Sequence, residues 1–210
     1  MLTRAATRST IPSWATTPAN RLSGMSALAL GVSGIVYSLS FVVLKHDALT
    51  AAMLAASGLL SLALFGTLYD RLRATDATLA RLALILGLLG AAGALLHGGY
   101  DLANALHPPA TPNLDLPSAI DPRGLLTFGV GGLAVALVAT LLGHDAAIPR
   151  ILVWLGFLTA TLMVVLYTGR LVILDTTHPF IAIAALVTGF VASPAWNIWL
   201  GTTLLRERQP

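Results

Sequence analysis

Six long stretches of this chain carry almost no charged side chain, and that feature decides the solvent in which it folds. A helix of about 20 apolar residues, rising 1.5 Å per residue, covers the roughly 30 Å hydrocarbon core of a bilayer. The stretches are residues 24–44, 50–69, 82–104, 125–142, 151–174 and 180–204. Their hydrophobicity is continuous instead of alternating every second residue, so transmembrane helices are expected and barrel strands are not. Only 10% of the residues are charged, against about 25% in a soluble domain. That leaves too few polar side chains to give each surface helix a wet face. The expected fold is therefore all-α, a polytopic membrane protein with one six-helix domain over residues 23–205, a basic tail at 1–22 and a short C-terminal tail at 206–210.

The gaps support the count and orient it. Lys45, His46 and Asp47 close the first hairpin; Asp70, Arg71 and Arg73 open the second gap; Pro149 and Arg150 end the fourth. The connection 105–124 is long and holds five prolines, and Asp175 to Pro179 turns the last pair. With six crossings both termini share a side. That side holds nine of the twelve basic residues (Arg4, Arg8, Arg21, Arg71, Arg73, Arg81, Arg150, Arg206, Arg208), and the other holds Lys45, Arg123 and Arg170. The asymmetry places the termini in the cytoplasm. The basic residues sit at helix ends and form no patch, so no nucleic acid partner is expected. Arg4, Arg8 and Arg21 among Ser and Thr also resemble an organelle transit peptide, which keeps an organellar membrane as the alternative location.

Small residues mark faces on which membrane helices approach one another. Gly87, Gly90, Ala94, His97 and Asp101 recur at helical spacing on the third stretch, Ala27, Gly31, Gly34 and Ser38 on the first, and Ser57 and Ser61 on the second. The third helix, with its charged end, is expected near the centre of the bundle. Pro194 should disturb the sixth helix, and Trp196 and Trp199 should lie at the cytoplasmic interface.

Ionisable groups inside a span are costly and mark candidate functional sites. Three stand out: His97, Asp101 and Arg170. Asp101 and Arg170 fall at similar depth, so an ion pair between them is expected, and His97 lies one turn from Asp101. Tyr37, Asn104 and Tyr167 fall close by. The expected site is a polar ligand pocket opening outward between the third and fifth helices, built from Tyr37, His97, Asp101, Asn104, Tyr167 and Arg170. A purely structural ion-pair network is the competing reading.

Other chemistries lack their residues. The chain has no cysteine, which removes disulfides, thiolate metal ligands and cysteine nucleophiles. Four histidines (His46, His97, His107, His178) fall on the outer side, but only His97 and Asp101 have a spacing that brings ligands together, so no metal site is expected. No metalloprotease, nucleophile-elbow or phosphate-loop motif occurs, and the sequence names no cofactor.

The last stretch reads Pro194, Ala195, Trp196, Asn197, Ile198, Trp199, Leu200, Gly201 and ends at Leu205 and Arg206. With the six-helix layout it resembles bacterial integral membrane proteins ending in a Pro-x-Trp-x-x-Trp-Leu-Gly helix, to which no activity is assigned. The resemblance implies the bacterial plasma membrane and transfers no site residue. The leading expectation is a non-enzymatic protein that binds a small or lipid-like molecule. The alternatives are an accessory subunit of a larger membrane complex, or a homo-oligomer, and an intramembrane enzyme using His97 and Asp101.

Overall fold

The computed structural model describes residues 18–108, 122–173 and 178–206. The expected tails up to residue 17 and from residue 207, the proline-rich stretch 109–121 and the turn 174–177 lie outside the described residues. Within them the chain is helical apart from short turns, and six helices are long and apolar enough to cross a membrane. Helix α1 covers Pro18–Leu39 and continues as a wider π-helical turn at Ser40–Leu44. Helices α2 and α3 are Asp47–Leu72 and Ala77–Leu106. Helix α4 opens with an α-helical turn at Pro122–Gly124, runs π-helical through Leu125–Val130 and returns to α-helix at Gly131–Leu142. Helix α5 is Arg150–Ile173. Helix α6 has three parts: Pro179–Leu186, a π-helical Val187–Ala192, and Ser193–Arg206.

Most helices overrun the expected apolar stretches, because polar caps extend the backbone ladder beyond them. Asp76 Oδ1 accepts hydrogen bonds from the amides of Thr78 at 2.8 Å and Leu79 at 2.9 Å, satisfying two donors that open α3. His46 and His178 do the same through Nδ1 for α2 and α6. Asp76→Ala should cost about 1 kcal/mol, read as a lower apparent Tm in mild detergent, and Asp76→Ser should recover most of it. An unchanged Tm in the alanine variant would show that α3 does not need this cap.

Each helix packs chiefly on its neighbours in sequence, and α6 closes on α1. The result is a six-membered ring in chain order, not a bundle around a central helix. The expected central position of α3 is therefore corrected: α3 lies between α2 and α4 like any other member. Its small face still sets the packing. A Cβ on Gly90 would lie 2.8 Å from Gly131 Cα of α4, and one on Gly58 would lie 2.7 Å from the Leu95 nitrogen of α3. The α1–α6 seam is built the same way, with Gly201 so close that a Cβ would meet the Gly24 carbonyl oxygen at 2.7 Å. That contact puts the start of α1 and the end of α6 at one end of the ring, the terminal end.

The two ends differ inside. At the terminal end Leu64, Leu68, Leu72, Leu141, Leu142, Ile148, Leu152, Trp196, Leu200 and Leu204 form one continuous apolar core. Arg71 of α2 reaches Asp145 in the α4–α5 turn at 2.6 Å, tying two hairpins together there. At the distal end the buried apolar cluster shrinks to Leu166, Ile181 and Ala184 with Phe128 and Ile173 beside it. The distal ring surrounds space. The surface of the ring is aliphatic, with Leu59, Leu96, Ile151, Val172 and Ile183 all exposed, as suits a lipid-facing wall.

Trp196 faces the inside of the ring instead of its outer surface. It is 3% exposed and packs inside on Gly156 of α5, whereas the exposed indole is Trp154, at 71%. Pro194 has no amide hydrogen to donate, and the altered ladder lies just before it, in the π-helical Val187–Ala192.

Candidate functional site

The distal space is a cavity of about 710 Å³. Tyr37 and Phe41 of α1, Asp47 and Thr50 of α2, His97, Asp101 and Asn104 of α3, Phe128 of α4, Arg170 of α5 and Phe190 of α6 all contribute to its wall. Five of the six candidate residues thus share one cavity. Tyr167 does not line it: its ring packs on Gly129 of α4, where a Cβ would lie 3.2 Å away. The cavity lies on the ring axis and not only between α3 and α5, because no helix fills the middle.

Helical spacing sets the polar cluster on α3. His97 Nε2 lies 3.3 Å from Asp101 Oδ2, one turn on. Arg123, in the first turn of α4, approaches Asp101 Oδ1 at 3.8 Å, with its guanidinium carbon 4.2 Å from the centre of the Tyr100 ring. Asp101 is therefore partnered by His97 and Arg123, and the expected Asp101–Arg170 ion pair is not among the ion pairs of the described residues. The physical reason is placement: the chain returns at Arg123 directly beside α3, whereas Arg170 faces the same cavity from α5.

Arg170 is the exception in this wall. Its Nε is buried and has no hydrogen-bond partner, and its guanidinium joins no ion pair among the described residues. An arginine carries five donors and stays charged. Opposite it on α1, Tyr37 stacks on Phe41, with ring centres 6.1 Å apart and planes within 6°. Thr50 ties the base of this wall to α1 through a 3.0 Å hydrogen bond to Ser40 Oγ. Of the four outer histidines, His46 and His178 cap helices, His107 ends α3 and only His97 lines the cavity. Among the described residues no group of three or more His, Cys, Asp or Glu is arranged to hold a metal.

A second, narrower cavity of about 190 Å³ continues toward the terminal end and shares Tyr37, Ser38, Leu54, Phe128, Thr188 and Gly189 with the first. All six helices line it, mostly with Leu30, Leu64, Phe65, Leu68, Val135, Val138, Met163 and Leu200. Its threonines are turned to their own helices: Thr127 donates to the Arg123 carbonyl at 2.7 Å, Thr159 to Leu155 at 2.8 Å and Thr188 to Ala184 at 2.6 Å, while Ser57 pairs with Ser33 of α1 at 2.9 Å and Asn197 donates to the Ser193 carbonyl at 2.9 Å. What faces the chamber is therefore largely hydrocarbon.

Sequence reasoning missed Asp47, Thr50 and the three π-helical turns, each of which borders the distal cavity. A one-residue widening of a helix leaves no mark in hydrophobic periodicity; Pro194 was the nearest signal, and only for the third of them. No protein-family model, curated protein or solved structure matches this chain.

Proposed function

We propose that this is a multi-pass protein of the bacterial plasma membrane, its termini cytoplasmic, that binds a small or lipid-like molecule by an anionic group in the distal cavity. The observation that carries this reading is Arg170, whose buried Nε faces no partner on the wall of a 710 Å³ space. Removing a guanidinium from water without a counterpart is costly, and a carboxylate or phosphate is the counterpart its planar donors fit best. Asp101 does not compete for it, because Arg123 and His97 already attend that carboxylate. Tyr37 and Asn104 add polar groups on the same wall.

The test uses oleate as an anionic probe, oleyl alcohol as its uncharged counterpart, and acetate and inorganic phosphate as water-soluble anions. Purified protein in mild detergent should gain thermal stability with oleate and not with the alcohol. Arg170→Met should weaken the oleate effect at least tenfold, equivalent to about 1.4 kcal/mol, and Arg170→Lys should keep part of it. Without probe, Arg170→Met should be at least as stable as the native protein, because it removes a half-buried charge that no ion pair among the described residues offsets. Equal oleate stabilisation of native and Arg170→Met protein would sink the reading.

A further inference from the structure

We propose, building on the anion site at Arg170, that the occupant is a single-chain anionic amphiphile taken up sideways from the bilayer between α1 and α6, with its tail lying in the inner chamber. Five of the six helix–helix seams hold as far as the distal end. Thr50 bonds Ser40 across α1 and α2, and Gly98 sits against Ala51 and Ala55 across α2 and α3. Arg123 meets Asp101 across α3 and α4, Gly129 meets Tyr167 across α4 and α5, and Gly169 meets Phe180 and Ile181 across α5 and α6. The sixth seam, α6 on α1, is tight from Gly24 to Gly189, where a Cβ would lie 2.5 Å from Ser38 Oγ. Beyond that point the backbones of Ser40–Leu44 and Pro179–Leu186 make at most a slight approach to each other among the described residues.

The walls of this gap are apolar. Phe41, Val42, Ala182, Ala185 and Leu186 line the cavity side, and Val43, Leu44 and Ile183 are exposed on the outer face. A water-soluble anion meets nothing there to replace its hydration, whereas an alkyl chain passes from one hydrocarbon medium into another. One edge of the gap is the π-helical turn Ser40–Leu44, a form found mostly at functional sites; the other is the α-helical Pro179–Leu186, which passes into the π-helical Val187–Ala192 where the seam closes.

The inner chamber then sets the chain number. Its lining runs from Leu54 to Leu68 on α2, roughly 20 Å of helix at ~1.5 Å per residue. A volume of about 190 Å³ drawn out over that length leaves room for no more than one alkyl chain abreast. The chamber meets the outer cavity at Tyr37 and Thr188, so a head held at Arg170 points its tail inward, toward Trp196 and Leu200.

Trp196 makes this measurable, since bromine on a lipid chain quenches indole fluorescence at short range. Full-length protein carrying Trp14→Phe, Trp154→Phe and Trp199→Phe is placed in phosphatidylcholine vesicles and titrated with a fatty acid dibrominated near its tail end. Trp196 should be quenched saturably, while phosphatidylcholine brominated on its chains should leave it bright at equal bromine content. A companion retaining only the exposed Trp154 should be quenched by both. Should losing Trp199 unfold the protein, Trp196→Phe in the otherwise native chain gives the same answer by difference. The chain has no cysteine, so Val42→Cys and Ala185→Cys can each carry a bulky maleimide at the gap, and each should slow the onset of quenching at least tenfold.

Unquenched Trp196 in protein that oleate still stabilises would overturn the tail position and leave the Arg170 site standing. Equal quenching by the two-chain lipid would overturn the single-chain occupant. Unchanged onset in both labelled variants would overturn the sideways route, and acetate or phosphate stabilising as well as oleate would make the occupant a soluble anion. Absence of any oleate effect would overturn the underlying site itself.

Discussion

Gly98→Leu should separate α2 from α3 and lower stability by about 3 kcal/mol or more, at the upper end of what overpacking costs. A side chain at that position would run into the Ala55 nitrogen and sit 2.6 Å from the Ala51 carbonyl oxygen and 2.9 Å from Ala55 Cα. All three atoms are backbone, so no rotamer change can relieve them and the helices must move apart. Gly58 makes the reciprocal contact one turn further along, 2.7 Å from the Leu95 nitrogen and 2.8 Å from the Ala91 carbonyl oxygen, so the separation would propagate. In lipid there is little hydrophobic gain to hold two helices together once close packing is lost. The neighbouring Gly99 meets nothing within 4 Å, and Gly99→Ala should be neutral or stabilising by up to about 1 kcal/mol through helix propensity. Unfolding of the variants in mixed detergent micelles gives the comparison. Gly98→Ala as stable as Gly99→Ala would mean the two helices do not approach as described.

That adjacent pair shows what could be read from sequence and what could not. Hydrophobic run length determines the number of helices, since only hydrogen-bonded helices of that length satisfy their own backbone in lipid. Small residues at helical spacing located a close-packed face on α1 at Gly31 and one on α3 at Gly90, whereas the tighter α2–α3 contact falls on Gly98 and Gly58, outside those stripes. Periodicity is blind to which partner a face chooses. The seam at Gly87, Gly90 and Ala94 reads alike on a central helix and on one member of a ring, and the ring is decided by α6 returning to α1. Depth along a helix follows from residue number, so Tyr37, His97, Asp101, Asn104 and Arg170 could be brought to one level. Azimuth does not follow for isolated residues, and Tyr167 turned to Gly129 while Arg123 supplied the partner expected of Arg170. Trp196 is another case of azimuth: an indole near a helix end suits the interface, but Gly156 opposite leaves a recess that only a large ring fills.

Asp145→Asn should lower stability by about 1 kcal/mol, because it removes the carboxylate that a nearly buried guanidinium faces, an effect discounted for the 35% exposure of the Asp145 side chain. Arg71 is 10% exposed in its side chain and donates to Asp145 Oδ2 at 2.6 Å, while Asp145 Oδ1 accepts from the Ala147 amide at 2.9 Å. Burial alone would raise the Asp145 carboxyl; the Ala147 amide and the Arg71 guanidinium outweigh it and hold the carboxyl below the ordinary carboxylate range. A carboxyl lowered on folding contributes stability above its unfolded value, near 3.9, and that contribution is lost as pH falls through the folded value. The native protein should therefore lose Tm on acidification below about pH 4, by more than the Asn variant, which has no such contribution to lose. Parallel acid profiles for the two proteins would rule the contact out as a source of stability. A double-mutant cycle with Arg71→Met isolates the pair, and additive single effects would do the same. The position of this contact bears on the distal site, because Arg71 and Asp145 join α2 to the α4–α5 turn at the solid end of the ring. Loosening them should lower global stability while the oleate affinity proposed for Arg170, at the opposite end, stays within about twofold of native, as expected for sites too far apart to couple.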